Sequence, residues 1–329
     1  MTLMLDPAIL FFIVGIAAGA MRSNLEIPPA IARFLSLYLL MSLGLKGGFA
    51  LAQSGADVRV ASGLLAALLM AVIVPLAGYA FLRRHVARLD AAAVAAAYGS
   101  VSAVTFVTAS QHLEGLGMAA GGHMAAAMAL MESPAIILAV LLANAARAAA
   151  PARVQGSGTV ALAGGPASIG GLLRESLTDG SQVLLLGAMA VGLLSGEAGK
   201  SALQPFTGDL FKGMLSLFLL DMGLLVARNF AAARRAAAVL VGYATLGPLL
   251  HAATALALAW LLRLPAGDAA LLMVLSASAS YIVVPAVLRH AIPEANPALY
   301  LGLSLGITFP LNVLLGIPLY AAAARLVLG

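Results

Sequence analysis

The chain has 329 residues, of which 62% are hydrophobic and only 9% charged, with a mean hydropathy of +1.04. A soluble domain carries roughly 25% charged residues, so too little polar surface is left to face water, and a water-soluble globular protein is excluded. The absence of Cys excludes disulfide frameworks, thiolate catalysis and Cys-ligated metal centres, and the net charge of +5 has to be read against a bilayer.

Apolar stretches of about 15 to 27 residues predict ten membrane spans. They lie at 7–21, 34–52, 60–82, 91–111, 122–146, 182–195, 210–227, 236–262, 269–288 and 298–324. No basic segment precedes the first span and further spans follow it, so no cleaved signal is expected. The longest break, 147–181, is rich in Gly, Ser and Pro and reads as a linker between residues 1–146 and 182–329. The fold expected is an all-α integral membrane protein.

Residues of the two halves correspond in order. An offset of 177 takes Gly15 to Gly192 and Gly19 to Gly196, one of 176 takes Ser100 to Ser276, Ser102 to Ser278 and Pro134 to Pro310, and one of 179 takes Gly44 to Gly223. Five spans per half is an odd number, so the second half enters the membrane from the opposite side and the repeats are inverted. Loops after the odd-numbered spans hold twelve Lys and Arg, and the other side holds four. The positive-inside rule then places both termini outside and the linker in the cytoplasm. Basic residues spread over five short loops, with no aromatic interleaving, do not form a nucleic-acid surface.

Spans 4 and 9 carry small hydroxyl-bearing runs near their middles, Tyr98 to Thr105 and Leu275 to Tyr281. Gly and alternating Ser weaken a helix, so both spans are expected to be interrupted there. A break at mid-membrane bares N–H groups that suit an anion and carbonyls that suit a small cation, as in transporters of inverted-repeat design. Close helix packing is the competing account of the same residues. Pro134 and Pro310 would free the carbonyls of Leu130 and Gly306.

A charge inside a span costs about 3 kcal/mol or more, which singles out Glu132, deep in span 5, and Asp221 in span 7. Either could hold a cation or carry a proton, and Asp221 could pair with Lys46 or Lys212. His251 in span 8 is read as a helix–helix hydrogen-bonding residue. A channel would need polar residues along its whole length. An intramembrane enzyme would need a nucleophile and base at usable spacing, and none occurs, so no enzyme is expected.

The segments Asp6-Pro7-Ala8-Ile9-Leu10-Phe11-Phe12, Arg22-Ser23-Asn24-Leu25-Glu26-Ile27-Pro28 and Leu43-Gly44-Leu45-Lys46-Gly47-Gly48 resemble the sodium-dependent bicarbonate transporter family first described in cyanobacteria. So do the run from Tyr98 to Phe106 and the run Ala277 to Ala286. The resemblance implies two inverted five-helix repeats, a trimer in a bacterial cytoplasmic membrane, and inward co-transport of Na⁺ and bicarbonate with no organic cofactor. It places the anion at Gly99, Ser100, Val101, Ser102, Ala103 and Thr105 with Ser276, Ser278 and Ser280. Candidate Na⁺ ligands are Glu132, Asp221, Ser102, Thr105 and Ser278. Cyanobacterial members carry a longer, polar central segment associated with a PII-like regulator, and the short Gly, Ala and Ser linker here argues against one. Coupling to H⁺, or another small monovalent anion, remains the alternative.

Overall fold

The computed structural model describes residues 6–54, 58–118, 120–148, 180–234, 236–281, 284, 287, 288 and 291–329. Every regular element among them is helical: α1 (Pro7–Ala20), α2 (Pro29–Ser54), α3 (Val58–Leu82), α4 (Arg88–Gly99), α5 (Ala103–Gly115) and α6 (His123–Ala148) in the first half. The second half supplies α7 (Gly180–Gln204), α8 (Phe211–Arg234), α9 (Ala238–Leu261), α10 (Ala266–Ala277) and α11 (Pro297–Leu328). Among the described residues, seven stretches are long and apolar enough to cross a membrane, one of them joining α4 to α5 and another joining α7 to α8, while α1 and α10 are shorter apolar helices. The chain is a multi-pass membrane protein. The expected linker falls almost entirely on 149–179, outside the described residues.

Local chemistry sets several helix ends. Asp6 accepts the Ala8 N–H at 2.9 Å ahead of Pro7, and Asn296 does the same for Ala298 at 3.0 Å ahead of Pro297. Each pairs an oxygen cap with a first-turn proline whose missing N–H costs nothing there. The span expected to end at residue 195 breaks one residue later, at Gly196, whose φ 54°, ψ −139° is not helical, and α7 resumes beyond that kink to Gln204.

The two halves interlock through glycines. Gly15 of α1 lies against Leu220 and Gly223 of α8, and a β-carbon on it would meet the Leu220 carbonyl. Gly48 of α2 meets Met189 and Gly192 of α7 in the same way. Lipid offers apolar surfaces no less favourable company than another helix does, so such pairs depend on close backbone approach. Small residues permit that approach, and the faces turned away carry exposed apolar side chains such as Leu10, Phe11, Ile13 and Val14 on α1.

The other helices surround the interrupted ones. Across α4 and α5, 94% of the most apolar window is buried, against 39% in α3. The broken segment is therefore central and α3 is peripheral. Within α11, Pro310 cannot donate to Gly306, and wider turns at Ser304–Thr308 and Asn312–Gly316 flank it, with the Phe309 N–H reaching back to Ser304. Pro134, its expected counterpart, sits inside α6, which continues through it.

Candidate functional site

Both expected interruptions are present. α4 ends at Gly99, Ser100 is extended at φ −94°, ψ −177°, and α5 starts after Ser102. α10 ends at Ala277, Ser278 is extended at φ −82°, ψ 168°, and residues 278–281 are not helical. α4 and α10 are each 12 residues long. Their first residues, Arg88 and Ala266, and their last, Gly99 and Ala277, are both 178 positions apart. The structural equivalents are therefore Ser100 with Ser278 and Ser102 with Ser280, two residues from the pairing that matched serines at an offset of 176. Ser276 lies inside α10.

The breaks are tied to each other. The Ser102 N–H donates to Ser278 Oγ at 3.0 Å, and the Ser280 N–H donates to the Ala97 carbonyl at 2.7 Å. Two amides expected to be free are thus spent on the opposite break, because a buried N–H left unpaired costs about 1–3 kcal/mol. Ser102 also caps α5, its Oγ accepting the Thr105 N–H at 3.2 Å and the Thr105 hydroxyl at 2.9 Å. Ser280 Oγ accepts the Val284 N–H at 3.3 Å. Tyr281 closes one side, its hydroxyl 3.5 Å from Ser102 Oγ and its ring edge-on to Phe309 at 5.4 Å. Ser102, Thr105, Ser278 and Ser280 are each at most 4% exposed, so the crossing is occluded.

The remaining candidates take different positions. Gly99 serves close packing, since a β-carbon there would stand 2.7 Å from the Pro75 ring. Val101 is buried and Ala103 half-buried, and the hydroxyls of Ser100 and Ser276 find no hydrogen-bond partner among the described residues. Glu132 is buried in α6, which packs on α3 and α4, and Asp221 is buried in α8 next to Met222, whose sulfur faces the Tyr281 hydroxyl. Neither carboxylate takes part in the two bonds that join the breaks. The lysines considered as partners for Asp221 are engaged elsewhere, Lys46 with Glu114 at 3.1 Å and Lys212 with Asp6 at 3.0 Å. Lys46 lies at the rim of a cavity of about 410 Å³ that extends to Phe106 and Leu271. Phe106 follows Thr105 in α5, but no residue from Gly99 to Thr105 or from Ala277 to Tyr281 lines the cavity. His251, read as a helix–helix hydrogen-bonding residue, is buried in α9 edge-on to the Tyr243 ring at 6.1 Å, and its Nδ1 has no hydrogen-bond partner among the described residues.

Several residues that shape the site were not singled out from sequence. Tyr98 donates to Thr308 at 2.6 Å, and Thr308 passes its own hydrogen to the Ala244 carbonyl at 2.7 Å. Asp90 accepts the Asn296 N–H at 2.8 Å, and Asp268 accepts the Gly121 N–H at 2.6 Å, with His123 Nε2 3.6 Å from its other oxygen. Both aspartates are third in their helices, 178 positions apart, and each grips the turn before the last long helix of the opposite half. The repeat offset was the signal that could have found them.

The profile described as the Na⁺-dependent bicarbonate transporter superfamily matches residues 7–325. No curated protein matches the chain.

Proposed function

Because the chain belongs to the Na⁺-dependent bicarbonate transporter superfamily, we propose that it is a secondary transporter that takes up bicarbonate with Na⁺ by alternating access. The carrying observation is that two helices lose their regular coil where they meet, Ser102 to Ser278 and Ser280 to Ala97. The 178-residue correspondence of α4 with α10 supports ten spans in two inverted repeats, as do the crossed glycine contacts. Family membership is the ground for a trimer in a bacterial cytoplasmic membrane, and the uneven distribution of Lys and Arg is the ground for external termini.

The anion site is assigned to Gly99, Ser100, Val101, Ser102, Ala103 and Thr105 with Ser276, Ser278 and Ser280. First-turn N–H groups have no partner within their own helix, and the α5 terminus adds partial positive charge. Ser102 already serves Thr105, which leaves the amides of Ala103 and Val104 to face a solute. Bicarbonate is planar and monovalent, so amides and hydroxyls suffice for its oxygens without an arginine fork. The hydroxyls of Ser102, Thr105 and Ser278 and the carboxylates of Glu132 and Asp221 are assigned to Na⁺, whose charge offsets that of the anion carried with it.

Buried Glu132 and Asp221 also support a second reading, coupling to H⁺. Uptake of labelled bicarbonate into proteoliposomes at fixed pH, with and without a Na⁺ gradient, separates the two. Stimulation by Na⁺ is expected, and uptake indifferent to Na⁺ but driven by a pH gradient would refute Na⁺ coupling. Ser102→Leu should abolish uptake in an assembled protein, since it removes the α5 cap and fills the crossing. Normal transport by that variant would make the serine runs packing devices.

A further inference from the structure

Ala277 is the last helical residue of α10, so its carbonyl lacks the N–H that a continuing helix would bring from residue 281. A side chain supplies the donor instead, with Asn312 Nδ2 lying 2.7 Å from the Ala277 oxygen. Asn312 is fully buried, and its Oδ1 accepts from the Tyr320 hydroxyl at 3.0 Å. The amide is therefore oriented from both ends, its donor toward the broken helix and its acceptor toward α11. The wide turn Asn312–Gly316 makes room for it, since a β-carbon on Gly316 would stand 2.6 Å from Asn312 Oδ1. The Leu275 carbonyl of this helix end is likewise supplied, by the N–H and the hydroxyl of Ser278.

We propose that Asn312 is a positioning residue for transport: its amide replaces the missing backbone donor at the end of α10 and holds Ser278 to Tyr281 extended. This rests on the reading of the crossing as the solute site. If α10 continued as a helix through residue 281, the N–H of that residue would take up the Ala277 carbonyl that Asn312 now satisfies, and the Ser280 N–H would have to leave Ala97. With Asn312 in place, the break persists, and Ser278 Oγ and the Ser280 N–H reach the other interrupted helix. The residue touches no solute and acts through the backbone it fixes.

The test uses the full-length transporter in proteoliposomes, with hydrogen exchange measured on the same protein. Asn312→Asp keeps the shape but turns an acceptor toward the Ala277 carbonyl. Loss of one buried donor predicts a fall of roughly 5- to 150-fold in kcat/KM for bicarbonate. Amide exchange should quicken across Ser278 to Tyr281, while the α1–α8 and α2–α7 contacts exchange as in the parent. Gly316→Ala keeps every polar group but crowds the amide, and should show a smaller change of the same kind. It decides on the same two readouts if the Asp variant does not assemble. Parental kcat/KM, or faster exchange spread over the whole protein, overturns the proposal. Ser102→Leu, run alongside, separates the two claims: if it is inactive while both other variants transport normally, only the role of Asn312 falls. If all three transport normally, the crossing is not the site.

Discussion

Replacing Ser278 by Ala is the most direct probe of the contact between the breaks. Its Oγ is the acceptor for the Ser102 N–H at 3.0 Å and a donor to the Leu275 carbonyl at 2.8 Å, and the residue is 1% exposed. Leu275 retains the Ser278 N–H at 3.3 Å, so the main loss is the orphaned Ser102 amide. A buried donor left without a partner costs about 1–3 kcal/mol. Half of the pair of bonds that set the spacing of the two interrupted helices would be gone. The expected result is a fall of roughly 5- to 150-fold in kcat/KM for labelled bicarbonate uptake, in a protein that still purifies like the parent. Ser278→Thr, which keeps a hydroxyl, should recover most of the loss. An Ala variant with parental kinetics at every Na⁺ concentration would refute the argument, because the crossing would then tolerate loss of its central acceptor.

Two further substitutions sort the periphery from the core. Lys46→Gln breaks an ion pair with Glu114 that is substantially exposed, the two side chains being 27% and 52% accessible, and exposed pairs contribute at most about 1 kcal/mol. Uptake should fall by no more than roughly 5-fold, and complete inactivation would move Lys46 from the rim into the transport pathway. Gly223→Leu drives a side chain into the α1 backbone at Phe12 and Gly15, and should lower the melting temperature in detergent, whereas Gly213→Leu on the same helix meets open space and should leave it unchanged. Equal melting temperatures for the pair would show that the close approach of α1 and α8 is not a determinant of stability.

The interrupted helices were legible because the signal is local. Gly and closely spaced Ser weaken a helix wherever they fall, and Tyr98 to Thr105 and Leu275 to Tyr281 did so. Register was harder to read: matching serine to serine gave an offset of 176, whereas the helix starts at Arg88 and Ala266 and the aspartates at 90 and 268 fix it at 178. What sequence withheld depends on residues brought together by packing. Asn312 lies 35 positions from Ala277, and Thr308 lies 210 from Tyr98. No spacing rule links an amide in one irregular helix to the last carbonyl of another. Lys46 could not be assigned from its depth in α2 alone, because Glu114 and Phe211 come to it from two other helices.

If the anion binds at the crossing as proposed, the mutual bonding of the breaks divides the amides there into two sets. Those of Ala103 and Val104 are offered directly, whereas to take the Ser102 amide as well the anion would have to evict the serine hydroxyl now holding it, and the Ala97 oxygen has a comparable claim on the Ser280 amide. At those two amides the gain would be only the margin between the incoming acceptor and the resident one, smaller than the contacts of the loaded state would imply. The resident groups also remain beside the amides, ready to reclaim them when the cargo departs. Modest grip and prompt discharge, which a carrier needs on the receiving side, would then follow from a lock that can close on itself.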